Sequence, residues 1–176
     1  MPTSVSKSPI RADEKSEPPL RSPGLRIDVQ RATEDPDIPG DQRLRAWVQA
    51  ALSGRIEQAE LTIRLVDAAE SARLNREYRG KDAPTNVLSF PLQMPPEAGI
   101  PYLGDLVLCV PVVRREASDQ GKSLQAHWAH MLVHGSLHLL GYDHQNRQDA
   151  RQMEALEIRI MADIGFPNPY EAQVKE

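Results

Sequence analysis

The sequence has one cysteine, Cys109, in 176 residues, so no internal disulfide can form and the fold must rest on its core. No apolar run approaches the length of a membrane span, and no membrane contact is expected. The first residues, MPTSVSKSPIRADEKSEPPLRSPG, lack the apolar stretch of a signal peptide, which together with the scarce cysteine leads to the expectation of a cytoplasmic location. Positive charge is not in excess either. With a formal net charge of -4, a surface that grips nucleic acid through a global basic field is excluded, and any such contact must be made locally by a few side chains. Internal repeats are absent. Histidine is missing from the whole chain outside residues 127–144.

What remains is the composition of a soluble globular protein, 40% hydrophobic and 26% charged, at a length that suits one domain. Residues 1–24 hold Pro2, Pro9, Pro18, Pro19 and Pro23 among Ser, Lys and Glu, and cannot bury enough apolar surface to offset chain entropy; they are expected to be a disordered tail. Order is expected from Leu25, where Leu25, Ile27 and Val29 alternate with polar residues as in a half-buried strand. Asp41 is expected to cap a helix carrying Leu44, Trp47, Val48, Ala51 and Leu52. A strand in ELTIRLVD and a short helix ended by Gly80 follow. NVLSF (86–90) and YLGDLVLCV (102–110) read as an antiparallel strand pair, and Pro111 can open a helix.

From Leu124 to Leu140 no residue is charged if histidine is neutral, so a helix there, capped by Ser123 and ended by Gly141, should be buried nearly all round. A last helix over about 149–164 has Met153, Leu156, Ile160 and Ile164 on its inner face. The fold class expected is α+β, with a mixed sheet of about four strands and helices packed around the histidine-bearing helix. Its domain is expected to span 25–170, with 171–176 a C-terminal tail.

His134 and His138 are four apart, so on a helix their rings stack one turn above the other and can meet one ion at about 2.0–2.1 Å. Gly141 lets the chain bend back and bring His144 to the same ion. Three neutral imidazoles favour a single zinc ion over magnesium or calcium, although nickel, copper and iron also accept nitrogen. His127 and His130 continue the stripe and either flank the metal or sit in the core, the reading we favour. The spacing resembles that of metzincin peptidases, whose first histidine is followed by a glutamate base. Here Gly135 stands in that place and can take no proton, and Ser136 lies about 200° around the helix from His134. Three ligands leave a position open, so the metal reads as catalytic and zincin-like, but not for ordinary peptidase chemistry.

The run HWAHMLVHGSLHLLGYDH, residues 127–144, resembles the signature of the YbeY family of bacterial metal-dependent endoribonucleases. YRGKDAPTNVLSFP (78–91) and GDLVLC (104–109) resemble that family's other characteristic stretches, in the same order. The resemblance implies zinc on His134, His138 and His144. It also implies cleavage of single-stranded RNA, with the 3′ end of 16S ribosomal RNA as leading substrate, a part in ribosome quality control, and the small ribosomal subunit and its assembly factors as partners. It further implies a functional arginine at Arg79. A guanidinium there could grip a phosphate in two places; alternatively Arg79 is a solvated residue at the favourable end of a helix dipole. His134 would serve both as ligand and in catalysis. Lys81 could support phosphate binding, Asp105 could orient a ligand histidine or mark a strand edge, and Asp143 could cap the turn, bind the metal or act as a base. Cys109 reads as a small buried hydrophobe. Two other readings stay open: a metallohydrolase of peptide or amide bonds, and a non-catalytic, zinc-stabilised ribosome-assembly factor.

Overall fold

The computed structural model describes residues 20–22, 24–92 and 99–171. A short strand β1 (Leu20–Ser22) pairs antiparallel with β2 (Leu25–Arg31), whose Ile27 and Val29 are buried as the alternation requires. Order therefore begins before Leu25. Without β1 the N–H and C=O groups along that side of β2 would form an open edge, and three residues of the expected tail cover part of it. Residues 1–19 and 23 of that expectation lie outside the described residues, as do 172–176 of the expected C-terminal tail.

Helix α1 (Asp41–Leu52) buries Leu44, Trp47, Val48, Ala51 and Leu52. Asp41 is its first helical residue and does not cap it; Gly40 holds the cap position without a side chain. The Asp41 carboxylate is taken by Arg31, whose Nε and Nη2 reach Oδ1 at 3.0 and 2.6 Å. Next come β3 (Ala59–Val66) and α2 (Ala68–Arg79), the latter capped by Asp67, which accepts the Glu70 N–H at 2.9 Å. β4 (Val87–Pro91) and β5 (Tyr102–Cys109) pair antiparallel as expected. Three helices complete the chain: α3 (Val110–Asp119), α4 (Leu124–Leu139) and α5 (Arg147–Asp163). The last starts two residues earlier than expected, because Asn146 caps it by accepting the Asp149 N–H.

The sheet order is β1-β2-β3-β5-β4. β2, β3 and β5 are parallel, as helical crossovers demand, and β1 and β4 are antiparallel at the two edges. This is a mixed α+β domain of four longer strands with β1 as a fifth. Between β3 and β5 the register slips by one residue: Glu60 faces Tyr102 but Leu61 faces Gly104. That bulge needs glycine at 104, where φ is +139° and a Cβ would lie 2.1 Å from the Phe90 carbonyl oxygen.

One face of the sheet turns Ile27, Val29, Ile63, Leu65, Leu106 and Leu108 onto the main core, where α4 lies against β4 and β5 with α1, α3 and α5 around it. Trp128, Leu132 and Leu137 of α4 are fully buried there. The other face carries Leu88, Val107 and Cys109 against Leu74 of α2. Cys109 is the small buried hydrophobe expected, with burial pushing its thiol pKa up. Asp105 shares this second face and accepts a hydrogen bond from the Tyr102 hydroxyl at 2.6 Å. It neither orients a ligand histidine nor marks an edge, since β5 is an inner strand.

Candidate metal centre

Helix α4 starts where Ser123 Oγ accepts the Ala126 N–H, and ends in a Schellman turn. The Tyr142 N–H reaches the Leu137 carbonyl and the Gly141 N–H reaches that of His138, both at 3.0 Å, with Gly141 at φ +100°. The turn has two consequences for the histidines. It sets the Tyr142 carbonyl 2.9 Å from His138 Nδ1, and it carries His144 back until its ring centroid lies 5.0 Å from that of His138 and 5.8 Å from that of His134. One nitrogen from each of His134, His138 and His144 can be chosen so that all three lie within 4.8 Å of one another. Asp143 takes the capping role among its alternatives, accepting the His144 N–H at 2.7 Å.

The hydrogen bonds determine which nitrogens are available. A carbonyl only accepts, so His138 carries its proton on Nδ1 and its lone pair on Nε2. His134 Nδ1 lies 3.2 Å from Glu157 Oε1 and donates to that carboxylate in the same way. Two Nε2 lone pairs then face each other across 3.1 Å. Neutral rings in these tautomers have no proton to share there, whereas one cation with bonds of about 2.0–2.1 Å bridges such a separation. Burial lowers the pKa of His138, helped by the charges His134 and His144 would carry, and so keeps it in the neutral form a metal requires.

Glu157 is the residue that sequence reasoning missed. Its side chain is buried on α5 and accepts from His130 Nε2 at 2.5 Å, His134 Nδ1 at 3.2 Å and the Tyr170 hydroxyl at 2.7 Å. Burial alone would raise its pKa, but the bonds from His130 and His134 outweigh this and bring it down to about 2. One signal was available: Glu157 falls on the apolar stripe between Met153 and Ile160, where an unexplained carboxylate calls for a partner. His130, His134 and Glu157 also lie close enough to suggest a second ion site, but the direct His130–Glu157 hydrogen bond leaves no room for an ion between them. His127 bonds to Glu116 at 2.8 Å, and both His127 and His130 are buried core residues, the reading favoured for them.

His134, His138 and His144 open into a cleft of about 730 Å³ that is also lined by Arg79, Ser89 and Asp143. Arg79 ends α2, is exposed, and makes no side-chain hydrogen bond or ion pair among the described residues. Lys81 is exposed and does not line the cleft. Gly135 faces the sheet: a Cβ there would come within 2.8 Å of Leu106 Cδ2 and 3.2 Å of Ser89 Oγ and Val87 Cγ2. The position that holds a glutamate base in peptidases is here filled by packing.

Comparison with known proteins identifies the family. The family model Endoribonuclease YbeY matches residues 28–165. A protein of Pseudomonas putida (strain W619) named Endoribonuclease YbeY is 59% identical over 147 residues, covering 83% of this chain and 93% of that relative. The solution structure of TM1509 from Thermotoga maritima superposes with a TM-score of 0.51 at 21% identity, over 81% of this chain and 99% of that one, a likeness of fold. With its histidine cluster on a buried helix and a family match across nearly the whole described domain, the chain belongs to the YbeY endoribonuclease family.

Proposed function

We propose that the chain is a single-strand-specific endoribonuclease that depends on one zinc ion, held by His134, His138 and His144 in a zincin-like centre. Its RNA substrate on this reading is the 3′ end of 16S ribosomal RNA. The protein acts in the cytoplasm in maturation and quality control of the small ribosomal subunit, alongside assembly factors, and the domain responsible spans residues 25–170.

The observation that carries the reading is the pairing, in one cleft, of two Nε2 lone pairs 3.1 Å apart with a guanidinium that has no partner among the described residues. An all-nitrogen donor set favours zinc over the oxygen-seeking cations. When bound, zinc supplies Lewis acidity toward a phosphoryl oxygen and can lower the pKa of a water to about 7. Arg79 binds the scissile phosphate in a two-pronged grip and stabilises the charge that grows on its oxygens. His138 and His134 are held in one tautomer by the Tyr142 carbonyl and Glu157, so the ligand nitrogens need no rearrangement. Analysis of the product ends distinguishes direct hydrolysis from attack by the RNA 2′-hydroxyl.

The test uses the zinc-loaded full chain with single-stranded RNA and with casein. Cleavage of RNA and not of casein is expected, and Arg79→Ala should lower the RNA rate by about 10²–10³-fold, the cost of removing one preorganised donor, while zinc content stays the same. Undiminished cleavage by Arg79→Ala, or cleavage of casein alone, overturns the reading.

A further inference from the structure

β4 is an edge strand, and among the described residues no strand pairs with its outer side. The pairing with β5 fixes which of its backbone groups face outward. The Cys109 N–H bonds to the Asn86 carbonyl and the Leu92 N–H to that of Leu103, so the even positions 86 to 92 face β5 and Val87, Ser89 and Pro91 face away. These three outward residues are also the β4 residues that line the cleft beside His134 and His138.

Most of this edge is already closed to a donor role. The Val87 N–H is taken by Asn86 Oδ1 at 2.6 Å, and Pro91 has no N–H. The Ser89 hydroxyl is turned onto the Gly135 carbonyl at 3.2 Å, which pins the strand to α4. Among the described residues the Ser89 main-chain N–H is left as the single outward donor of β4 without a partner. An extended polypeptide adding to an edge uses donors at alternate residues, and here it would find only one. A phosphate oxygen needs only one, and it gains most from a donor fixed in a sheet, since bonds to charged acceptors are the strong ones. Arg79 lies in the same cleft and offers a second contact, this one cationic, for the same kind of group.

We infer that the Ser89 main-chain N–H binds a phosphate oxygen of the substrate strand, making β4 a rail for RNA and not an edge for peptide. This rests on the RNA reading above. The experiment titrates zinc-loaded, ¹⁵N-labelled full chain with a single-stranded RNA oligomer and follows the Ser89 amide resonance. In parallel, the RNA dissociation constant of Ser89→Pro, which deletes the N–H, is measured against Ser89→Ala, which deletes only the hydroxyl.

A downfield shift of the Ser89 amide is expected. Ser89→Pro is expected to bind about tenfold or more weakly than Ser89→Ala, as for the loss of one hydrogen bond to a charged group. If the wild-type chain binds no RNA at all, the endoribonuclease reading fails. If it binds RNA with the Ser89 amide unmoved, or if an extended peptide shifts that amide and RNA does not, the inference alone is overturned. The amide titration decides the matter even if Ser89→Pro does not fold.

Discussion

Glu157 is a buried carboxylate that three donors converge on, and one of them belongs to His134, a ligand in the proposed zinc centre. Its four acceptor sites can satisfy all three donors; the amide of a glutamine could satisfy at most two and would point its own N–H groups at the rest. Glu157→Gln is therefore expected to loosen the His134 ring and its tautomer and to weaken zinc binding by about 10–100-fold. Competition against a chelator measures this, and unchanged affinity would show that His134 is positioned without its carboxylate. At this scale the clustering of His134, His138 and His144 was legible in the sequence, because histidines four apart followed by a glycine turn leave few other geometries. Their supports were not. The His138 partner is the Tyr142 carbonyl, and a backbone atom has no signature in the sequence; the His134 partner comes from a helix 23 residues on.

Helix α4 meets the sheet at Gly135, and this contact is tight enough to decide what the position can hold. Gly135→Glu, which restores the residue order of a metzincin, would drive a side chain into Leu106, Val87 and Ser89. A loss of about 1–3 kcal/mol or more in chemical unfolding is expected, with no gain of peptidase activity. Stability equal to wild type would show that α4 can shift away from β4. Helix α2 was legible from its Gly80 stop, and α4 from its Gly141 stop and from Ser123, which caps it with no competing partner among the described residues. Asp41 was misread as a cap because Arg31, ten residues earlier, claims its carboxylate, and that contact exists only after β2 and α1 have packed. β1 was missed because three residues carry too short a pattern to read, although it folds straight back onto β2 with Ser22 opposite Leu25.

Across the whole molecule, the net charge of -4 sets how RNA can be held. If only one to three phosphates are neutralised in the cleft, log K for single-stranded RNA should fall with log[salt] at a slope of about -0.7 to -2, and a much steeper slope would reveal a basic surface elsewhere. Acid should act on the fold through its buried groups. Burial holds His127 and His138 below the ordinary 6.5, so the unfolded chain takes up protons there before the folded one does. Their contribution to stability is full above about pH 6.5 and declines as pH falls below it. Glu157, at about 2 against an ordinary 4.5, contributes stability above pH 4.5 that is lost as pH falls toward 2. Denaturant unfolding of the metal-free chain should therefore show stability dropping in both windows, and a flat profile from pH 7 to 4 would contradict the burial described.

The claim on which the rest depends is that His134, His138 and His144 hold a metal that RNA cleavage requires. Elemental analysis of the purified chain, paired with cleavage of single-stranded RNA before chelation, after it and after zinc is returned, tests that claim directly. One zinc per chain is expected, with cleavage lost on chelation and regained with zinc. Full cleavage by a folded, metal-free chain would contradict it.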